Sequence, residues 1–291
     1  MLKNRFNFLE RGSVTVATAA IILTELGITD RPAKSAVLAL SDDNSIAAFD
    51  PSFSDIPSNN GILFWTVDDE NQLFQNSFWY RVGSEGSENS INTLNLIGLD
   101  QPADNQVSVA YAGTGFELAL NYTLDGGAEG SGMSNLLENI TIQNTGNSGS
   151  NPLDFHFFNY TDFDLSENGT QDTITIDSDV ATVSDNITLA KEAVSPASNF
   201  YQGSPIFNIL DSLGDAGPTT LTNFSRPVTG DTAHAFEWDL ALAPGKPFSI
   251  TVNKSITPTE VPEPDMTLGL LGFSGLMLLW RLRRPTQVRA K

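Results

Sequence analysis

Apolar and polar side chains alternate along many short segments of this 291-residue chain, and this alternation constrains its fold most. In residues 116–124, Phe116, Leu118 and Leu120 fall on one side of the chain, whereas Glu117 falls on the other. Successive side chains of a β-strand point to opposite faces, so a period of two predicts a half-buried antiparallel strand. Alternation of the same kind recurs at residues 236–242 and 248–252.

Other short apolar segments extend the strand prediction through the chain, with Gly, Asn and Asp turn signals between them. They lie at residues 62–67, 74–82, 106–111, 139–143, 153–160, 173–176 and 187–190. Only residues 206–213 have a helical pattern. Many short strands with frequent turns predict an all-β fold, and specifically an antiparallel β-sandwich.

The charge distribution and the absence of cysteine exclude several classes of function. Without cysteine the chain has no disulfide, no thiol nucleophile and no cysteine-ligated metal site. The formal net charge is −20, and residues 36–259 contain 29 acidic but only 5 basic residues. Because such a surface repels phosphates, nucleic acid is excluded as a partner. An acidic surface suits a soluble exported protein and attracts divalent cations.

The C-terminal region begins with a short proline motif followed by an apolar segment. Val261, Pro262, Glu263 and Pro264 form the motif, in which proline favours extended backbone and bars helix. Residues 266–280 are uncharged and mostly apolar. As a helix they would be about 22 Å long, against roughly 30 Å of hydrocarbon in a bilayer. The sequence predicts a single, short transmembrane helix at this end of the chain.

Basic residues follow the apolar segment directly. Arg281, Arg283 and Arg284 form this basic cluster, and their aliphatic stems can snorkel to lengthen the span. The positive-inside rule places the cluster in the cytoplasm and everything before Val261 outside.

This order of parts resembles the PEP-CTERM sorting signal of exopolysaccharide-producing Gram-negative bacteria, over residues 261–284. The resemblance implies cleavage near residues 262–264 by an exosortase, a membrane-embedded cysteine peptidase. Residues 261–264 would then be substrate residues and not catalytic ones. The mature protein would leave the inner membrane for the cell surface or the extracellular matrix. A plain tail anchor on a proline-rich stalk is the alternative interpretation.

Four segments of the central region also resemble ectodomains that accompany this signal. They read LFWTVDD at residues 63–69, FWYRVG at 78–83, NYTLDGG at 121–127 and LDFHFFNYTDFDL at 153–165. This ectodomain type is uncharacterised, so the resemblance implies no activity.

The N-terminus has the layout of a secretory signal peptide. Lys3, Arg5 and Arg11 form a basic region, residues 14–23 are apolar, and small residues allow cleavage after Ser35. A buried core helix or an ordinary strand is the alternative. The predicted organisation is a signal peptide at 1–35, an ectodomain at 36–257, and a stalk with the sorting signal at 258–291, within which 281–291 is the basic tail.

One loop has the spacing of calcium ligands. Asp164, Ser166, Asn168 and Asp172 correspond to positions 1, 3, 5 and 9 of an EF-hand-type loop, with Gly169 at position 6. Position 12, where a bidentate Glu is expected, is a threonine, and the flanks are strand-like. The alternative is a β-hairpin with an Asn-Gly turn joining residues 153–165 to 173–177. Calcium is the only cofactor that the sequence suggests.

Two histidines offer the remaining candidate chemistry. His156 lies two residues from Asp154, and His234 lies three residues from Glu237. No Gly-x-Ser-x-Gly elbow and no HExxH motif is present in the sequence. A structural histidine in an aromatic strand is the simpler interpretation of His156, so no catalytic residue is predicted.

These observations predict a non-enzymatic exported protein with a structural or adhesive role. Its expected partners are an exosortase, the inner membrane before processing, and exopolysaccharide outside the cell. Two alternatives stay open at this point. One is a carbohydrate- or calcium-binding module for exopolysaccharide. The other is an exported hydrolase in which His156 or His234 joins a serine and an acid.

Overall fold

Antiparallel pairing organises nearly all of the chain that the computed structural model describes, namely residues 37–51, 61–167 and 171–259. These residues form 17 strands in two sheets and one α-helix. The predicted all-β sandwich architecture is therefore confirmed. The signal peptide, the sorting motif and the apolar segment predicted to span the membrane lie outside the described residues.

The strands follow one another at short intervals along the chain. The first nine are β1 (Leu38–Asp42), β2 (Ser45–Asp50), β3 (Gly61–Val67), β4 (Glu70–Val82), β5 (Asn89–Ser90), β6 (Asn95–Ala103), β7 (Gln106–Gly113), β8 (Phe116–Gly126) and β9 (Ser134–Asn144). The others are β10 (Leu153–Phe163), β11 (Asp172–Ile176), β12 (Val180–Ser184), β13 (Thr188–Ser195), β14 (Phe200–Pro205), β15 (Val228–Gly230), β16 (Thr232–Leu242) and β17 (Pro247–Pro258).

Each sheet has its own order of strands. Sheet A runs β1-β2-β3-β4-β10-β16-β14, with β5 paired to β4. Sheet B runs β15-β11-β12-β13-β17-β9-β8-β7-β6. The named strand pairs are all antiparallel, and β17 occupies a central place in sheet B between β13 and β9.

The main core lies between the inner faces of the two sheets. In sheet A, Phe157 stacks on Phe78 with ring centroids 5.5 Å apart and also contacts Trp238. In sheet B, Leu118 and Leu120 of β8 are buried in the same core. The alternation predicted for residues 116–124 is thus confirmed, with the apolar side turned inward.

A second, smaller core covers part of the outer face of sheet A. Helix α1 (Ile206–Leu213), which confirms the one helix predicted, buries Ile209 and Leu213 there. These side chains pack with Phe158 and Tyr160 of β10. The central strands of sheet A are consequently covered on both faces along part of their length, where burial is continuous from Phe157 to Phe163 and from Thr232 to Trp238.

The hairpin interpretation of residues 153–177 is wrong. Strand β10 pairs with β4 and β16 in sheet A, whereas β11 pairs with β12 and β15 in sheet B. The chain therefore crosses from one sheet to the other here. A short 3₁₀ turn at Leu165–Glu167 begins the crossing, and Ser166 adopts a left-handed conformation with φ of 55°. Turn residues alone did not reveal that the two strands belong to different layers.

Within the part of the chain that the structure describes, no helix has the length and apolar character needed to cross a membrane. The predicted span at residues 266–280 lies beyond this part and stays a prediction.

Candidate functional site

A histidine and three carboxylates meet on the outer face of sheet A. In the register between β10 and β16, His156 lies directly opposite Asp239. Glu237 lies two residues earlier on β16 and so shares that face, as does Asp154 on β10. We call His156, Glu237, Asp239 and Asp154 the outer-face cluster.

The imidazole of the cluster contacts carboxylates on both of its nitrogen sides. Its Nδ1 is in hydrogen-bond contact with Asp239 Oδ1 and lies 4.0 Å from Glu237 Oε1. Its Nε2 lies 3.6 Å from Asp154 Oδ1. The His156 side chain is 13% exposed, whereas those of Asp154 and Asp239 are 59% and 37% exposed. The cluster therefore has a solvent-facing rim.

Glu237 forms the buried floor of the cluster. Its side chain is inaccessible to solvent, and its Oε2 accepts a 2.7 Å hydrogen bond from the Leu221 amide. Burial raises the pKa of Glu237, the Leu221 hydrogen bond opposes the rise, and the neighbouring Asp239 carboxylate adds to it. The group is therefore held in a place that disfavours its charge unless a cation is near.

The nearest cationic side chain is already engaged elsewhere. Arg81 faces His156 across the register of β4 and β10. Its Nε donates to Glu88 Oε1 at 2.9 Å, and its terminal nitrogens donate to the carbonyls of Gly83 and Thr219. Arg81 therefore ties the segment after α1, which contains Thr219, to sheet A and pairs directly with Glu88, while its charge also lowers the pKa of Glu237 in part.

The sequence alone predicts only part of this cluster. It places His156 near Asp154, and Glu237 near His234. The structure pairs His156 with Asp239 instead, across 83 residues of sequence. The sequence does contain a local sign of the cluster: two pairs of polar residues are spaced two apart, which places each pair on one face of its strand. These pairs are Asp154 with His156 and Glu237 with Asp239.

The second histidine is an interior residue. His234 is fully buried, and its Nε2 lies 3.2 Å from Glu192 Oε2. Among the described residues, the hydrogen-bond and ion-pair partners found for both histidine rings are carboxylates. The serine–histidine–acid arrangement of the hydrolase alternative is not assembled there.

The predicted calcium loop is described only in part. Asp172 is buried, and its Oδ2 accepts a 3.1 Å hydrogen bond from the Leu165 amide. The Ser166 hydroxyl contacts the Thr188 hydroxyl at 3.2 Å. Asn168 lies outside the described residues. The calcium site stays a prediction.

Acidic side chains do gather beside that loop. Burial, reinforced by Asp231, Asp164 and Asp172, raises the pKa of Asp162 to about 8. Burial likewise raises the pKa of Asp172 to about 7, against the hydrogen bond from Leu165. Asp162 Oδ2 and Asp172 Oδ1 are buried and have no hydrogen-bond partner within the described ranges. Carboxylates of this kind are stabilised by a cation or by protons.

The other residues singled out by the sequence lie partly outside the described residues and partly in the cores. The sorting motif of Val261, Pro262, Glu263 and Pro264 lies outside the described residues. So does the basic cluster of Arg281, Arg283 and Arg284. Trp65, Phe78 and Trp79 of β3 and β4 are buried in the cores, whereas Phe64 and Phe74 of the same strands are exposed.

Comparison with known proteins identifies the fold and no family. No family model matches the chain, and no curated protein matches it either. Among solved structures, a bacterial glucoamylase complexed with acarbose matches with a TM-score of 0.54 at 10% identity. That match covers 86% of this chain but only 37% of the glucoamylase, so the chain spans about a third of that enzyme's length.

A putative aldose 1-epimerase from Escherichia coli K12 also matches, with a TM-score of 0.50 at 11% identity. This match covers 77% of the chain and 99% of the epimerase. At such identities the likeness establishes a shared two-sheet fold and assigns no activity.

Proposed function

We propose that this chain is an exported surface or extracellular-matrix protein, sorted and processed through its PEP-CTERM-like C-terminus. The observation that carries the proposal is the order of residues 261–284: proline motif, apolar segment, arginine cluster. The ectodomain would serve a structural, non-enzymatic role outside the cell.

The described part of the chain supports this proposal by its composition and by where its last strand ends. Strand β17 is paired on both sides and ends at Pro258, three residues before Val261 in the sequence. Strand β17 is therefore fully paired before the motif begins, so we expect cleavage at residues 261–264 to leave its pairing unchanged. A cysteine-free, strongly acidic sandwich also suits a compartment in which folding relies on the core alone.

Mass spectrometry of the secreted and membrane fractions tests the proposal. We expect the secreted form to end near residues 261–264 and to lack Trp280 and Arg284. Replacing Pro262, Glu263 and Pro264 together by alanine should keep the full-length chain in the membrane fraction.

The matched control replaces the adjacent Thr259 and Glu260 by alanine, and we expect normal processing. A secreted wild-type form that still carries Trp280 and Arg284 would contradict the proposal. So would a triple variant whose size and location equal those of the wild type.

A second candidate function is a calcium-binding module associated with exopolysaccharide. The buried, unpartnered oxygens of Asp162 and Asp172 favour it, because Ca²⁺ selects carboxylate oxygens. Calorimetric titration of the purified full-length chain with millimolar Ca²⁺ tests this function. Heat of binding that is lost in Asp172→Asn and kept in the exposed control Asp104→Asn supports it, whereas no heat and no melting shift excludes it.

A further inference from the structure

The outer-face cluster contains more negative than positive charge at close range. Three carboxylates surround the single imidazole of His156. Those of Glu237 and Asp239 lie on the side of Nδ1, and that of Asp154 lies on the side of Nε2. Arg81 is committed to Glu88 and to two backbone carbonyls. The cluster itself therefore has three carboxyl groups and one imidazole.

The geometry of the ligand atoms fits one ion. One atom each from His156, Glu237 and Asp239 lies within 4.8 Å of the other two. Ligand atoms at about 2.0–2.2 Å from a common ion are themselves about 3–4 Å apart, so only small side-chain shifts would bring the three together. The strand register fixes the arrangement, because Asp239 is the direct partner and Glu237 the diagonal neighbour of His156.

One carboxylate oxygen of Glu237 lies buried beside His156 without a hydrogen-bond partner among the described residues. This oxygen, Oε1, lies 4.0 Å from His156 Nδ1, whereas the other oxygen of this carboxylate is held by Leu221. Buried polar atoms are paired in the great majority of proteins, so Oε1 needs either a proton shared with the neighbouring Asp239 carboxylate or a cation.

The outer nitrogen of the imidazole faces a carboxylate, as in many metal sites. Metal-bound histidines usually direct their second ring nitrogen toward a carboxylate or carbonyl, which orients the ring. Here Nδ1 faces Glu237 and Asp239, and Nε2 faces Asp154 at 3.6 Å. Nε2 has no hydrogen-bond partner among the described residues, and a small shift of the exposed Asp154 side chain would let its carboxylate accept from Nε2 and orient the ring.

We propose that His156 Nδ1 and the carboxylates of Glu237 and Asp239 bind one first-row divalent transition-metal ion, with Asp154 orienting the imidazole. One nitrogen and two oxygen donors suit Zn²⁺ or Mn²⁺, whereas Ca²⁺ and Mg²⁺ prefer oxygen ligands alone. Three protein ligands leave one position on the ion for water or an external ligand. The site is separate from the calcium loop and independent of the sorting signal.

Isothermal titration of the purified, metal-free full-length chain with Zn²⁺ tests the proposal, with Ca²⁺ titrated in parallel. We expect one tight Zn²⁺ site per chain that Ca²⁺ does not occupy. X-ray absorption of the zinc-loaded chain should show nitrogen and oxygen donors at about 2.0–2.2 Å with an imidazole signature.

Four variants separate the roles of the residues. Asp239→Asn and His156→Gln should abolish the tight site, and Asp154→Asn should weaken it about 10-fold, the effect expected of an orienting carboxylate. Asp100→Asn, an exposed carboxylate on β6, should leave affinity unchanged. Melting curves in the presence of a chelator establish that each variant is folded. If His156→Gln does not fold, the Zn²⁺ affinity of Asp239→Asn tests whether the outer-face cluster binds the ion.

Two outcomes overturn the proposal. If Zn²⁺ does not bind to the wild-type chain, the outer-face cluster is a hydrogen-bonded arrangement without a metal. If Zn²⁺ binds equally to wild type and folded Asp239→Asn, the ion sits elsewhere on the acidic surface.

Discussion

Lys254 Nζ lies 2.8 Å from Glu138 Oε2 between the two sheets, and both side chains are buried. The same ammonium lies 3.6 Å from Glu192, its register partner across β13 and β17. His234 of sheet A reaches Glu192 from the other side at 3.2 Å. Removing a charge from water costs several kcal/mol. The two buried carboxylates, Glu138 and Glu192, therefore depend on the ammonium of Lys254 to offset their negative charge.

Replacing Lys254 by methionine should therefore destabilise the protein strongly. The change would remove the ammonium that lies beside both Glu138 and Glu192 and leave Glu138 buried without its ion-pair partner, at a cost of about 3–5 kcal/mol. Urea unfolding measures the loss. The control is Lys246→Met, at an exposed lysine before β17, which should change stability by less than about 0.5 kcal/mol. Equal stability of the two variants would contradict the prediction.

The two buried carboxylates beside Lys254 should make the free energy of unfolding depend on pH in opposite directions. Burial raises the pKa of Glu138 from 4.5 to about 7, although Lys254 opposes the rise. Its contribution is therefore full below pH 4.5 and is lost as pH rises through 7. Burial acts to raise the pKa of Glu192 too, but Lys254 and His234 outweigh it and lower that pKa to about 2. The contribution of Glu192 is full above pH 4.5 and is lost as pH falls through 2.

Glu138→Gln tests the upper part of this profile. The free energy of unfolding of the wild type, relative to this variant, should fall between pH 4.5 and 7 by on the order of 3 kcal/mol. Denaturant unfolding at several pH values measures the difference. For Glu129→Gln, at an exposed site, the curve of unfolding free energy against pH should run parallel to that of the wild type. A Glu138→Gln curve that also runs parallel would show that Glu138 is ionised in the folded protein throughout this range.

Phe157→Ala should open a cavity in the main core. Phe157 is fully buried between Phe78 and Trp238 on the inner face of sheet A, so the loss should be about 3–5 kcal/mol. Thermal unfolding measures it. Phe74→Ala removes the same side chain from a neighbouring strand, where it is 56% exposed, and should cost far less. Similar melting points for the two variants would refute the assignment of the core.

Asp68→Asn should loosen the turn at residues 130–132. The Asp68 carboxylate accepts hydrogen bonds from the amides of Gly130 at 2.6 Å and Gly132 at 2.7 Å, and both lower the pKa of Asp68. An asparagine offers one acceptor oxygen and no charge, so hydrogen exchange at these two amides should accelerate. Asp69→Asn, the exposed neighbour, should leave their exchange rates unchanged. Unchanged rates in Asp68→Asn would mean that the turn is held by other contacts.

The fold class could be predicted because several strands carry an uninterrupted alternation. Strand β8 buries every second residue, and the helix predicted at 206–213 has those same bounds in the structure. Strand β6 was missed because its alternation is broken. It contains Gly98 and Pro102, its pairing with β7 shifts register twice, and none of its side chains is fully buried.

The outer-face cluster could not be predicted, because pairing between distant strands creates it. His156 meets Asp239 only through the register of β10 against β16, and no local pattern encodes that register. The burial of Glu237 depends on the segment after α1 lying over it, as the Leu221 hydrogen bond shows. An acidic residue in an alternating strand is normally taken to face solvent, and here the covering segment reverses that expectation.

The central position of β17 has a mechanical consequence. Any load applied through the chain that follows Pro258 would act along β17, parallel to its hydrogen-bond ladders with β13 and β9. Both ladders would have to shear at once, whereas the edge strand β1 has a single strand ladder, to β2, together with hydrogen bonds from the Ser41 amide to the Asp104 carbonyl and from the Gln101 side chain to the Ala39 carbonyl. Pulling from the C-terminal side therefore loads two strand ladders, and pulling on β1 loads one.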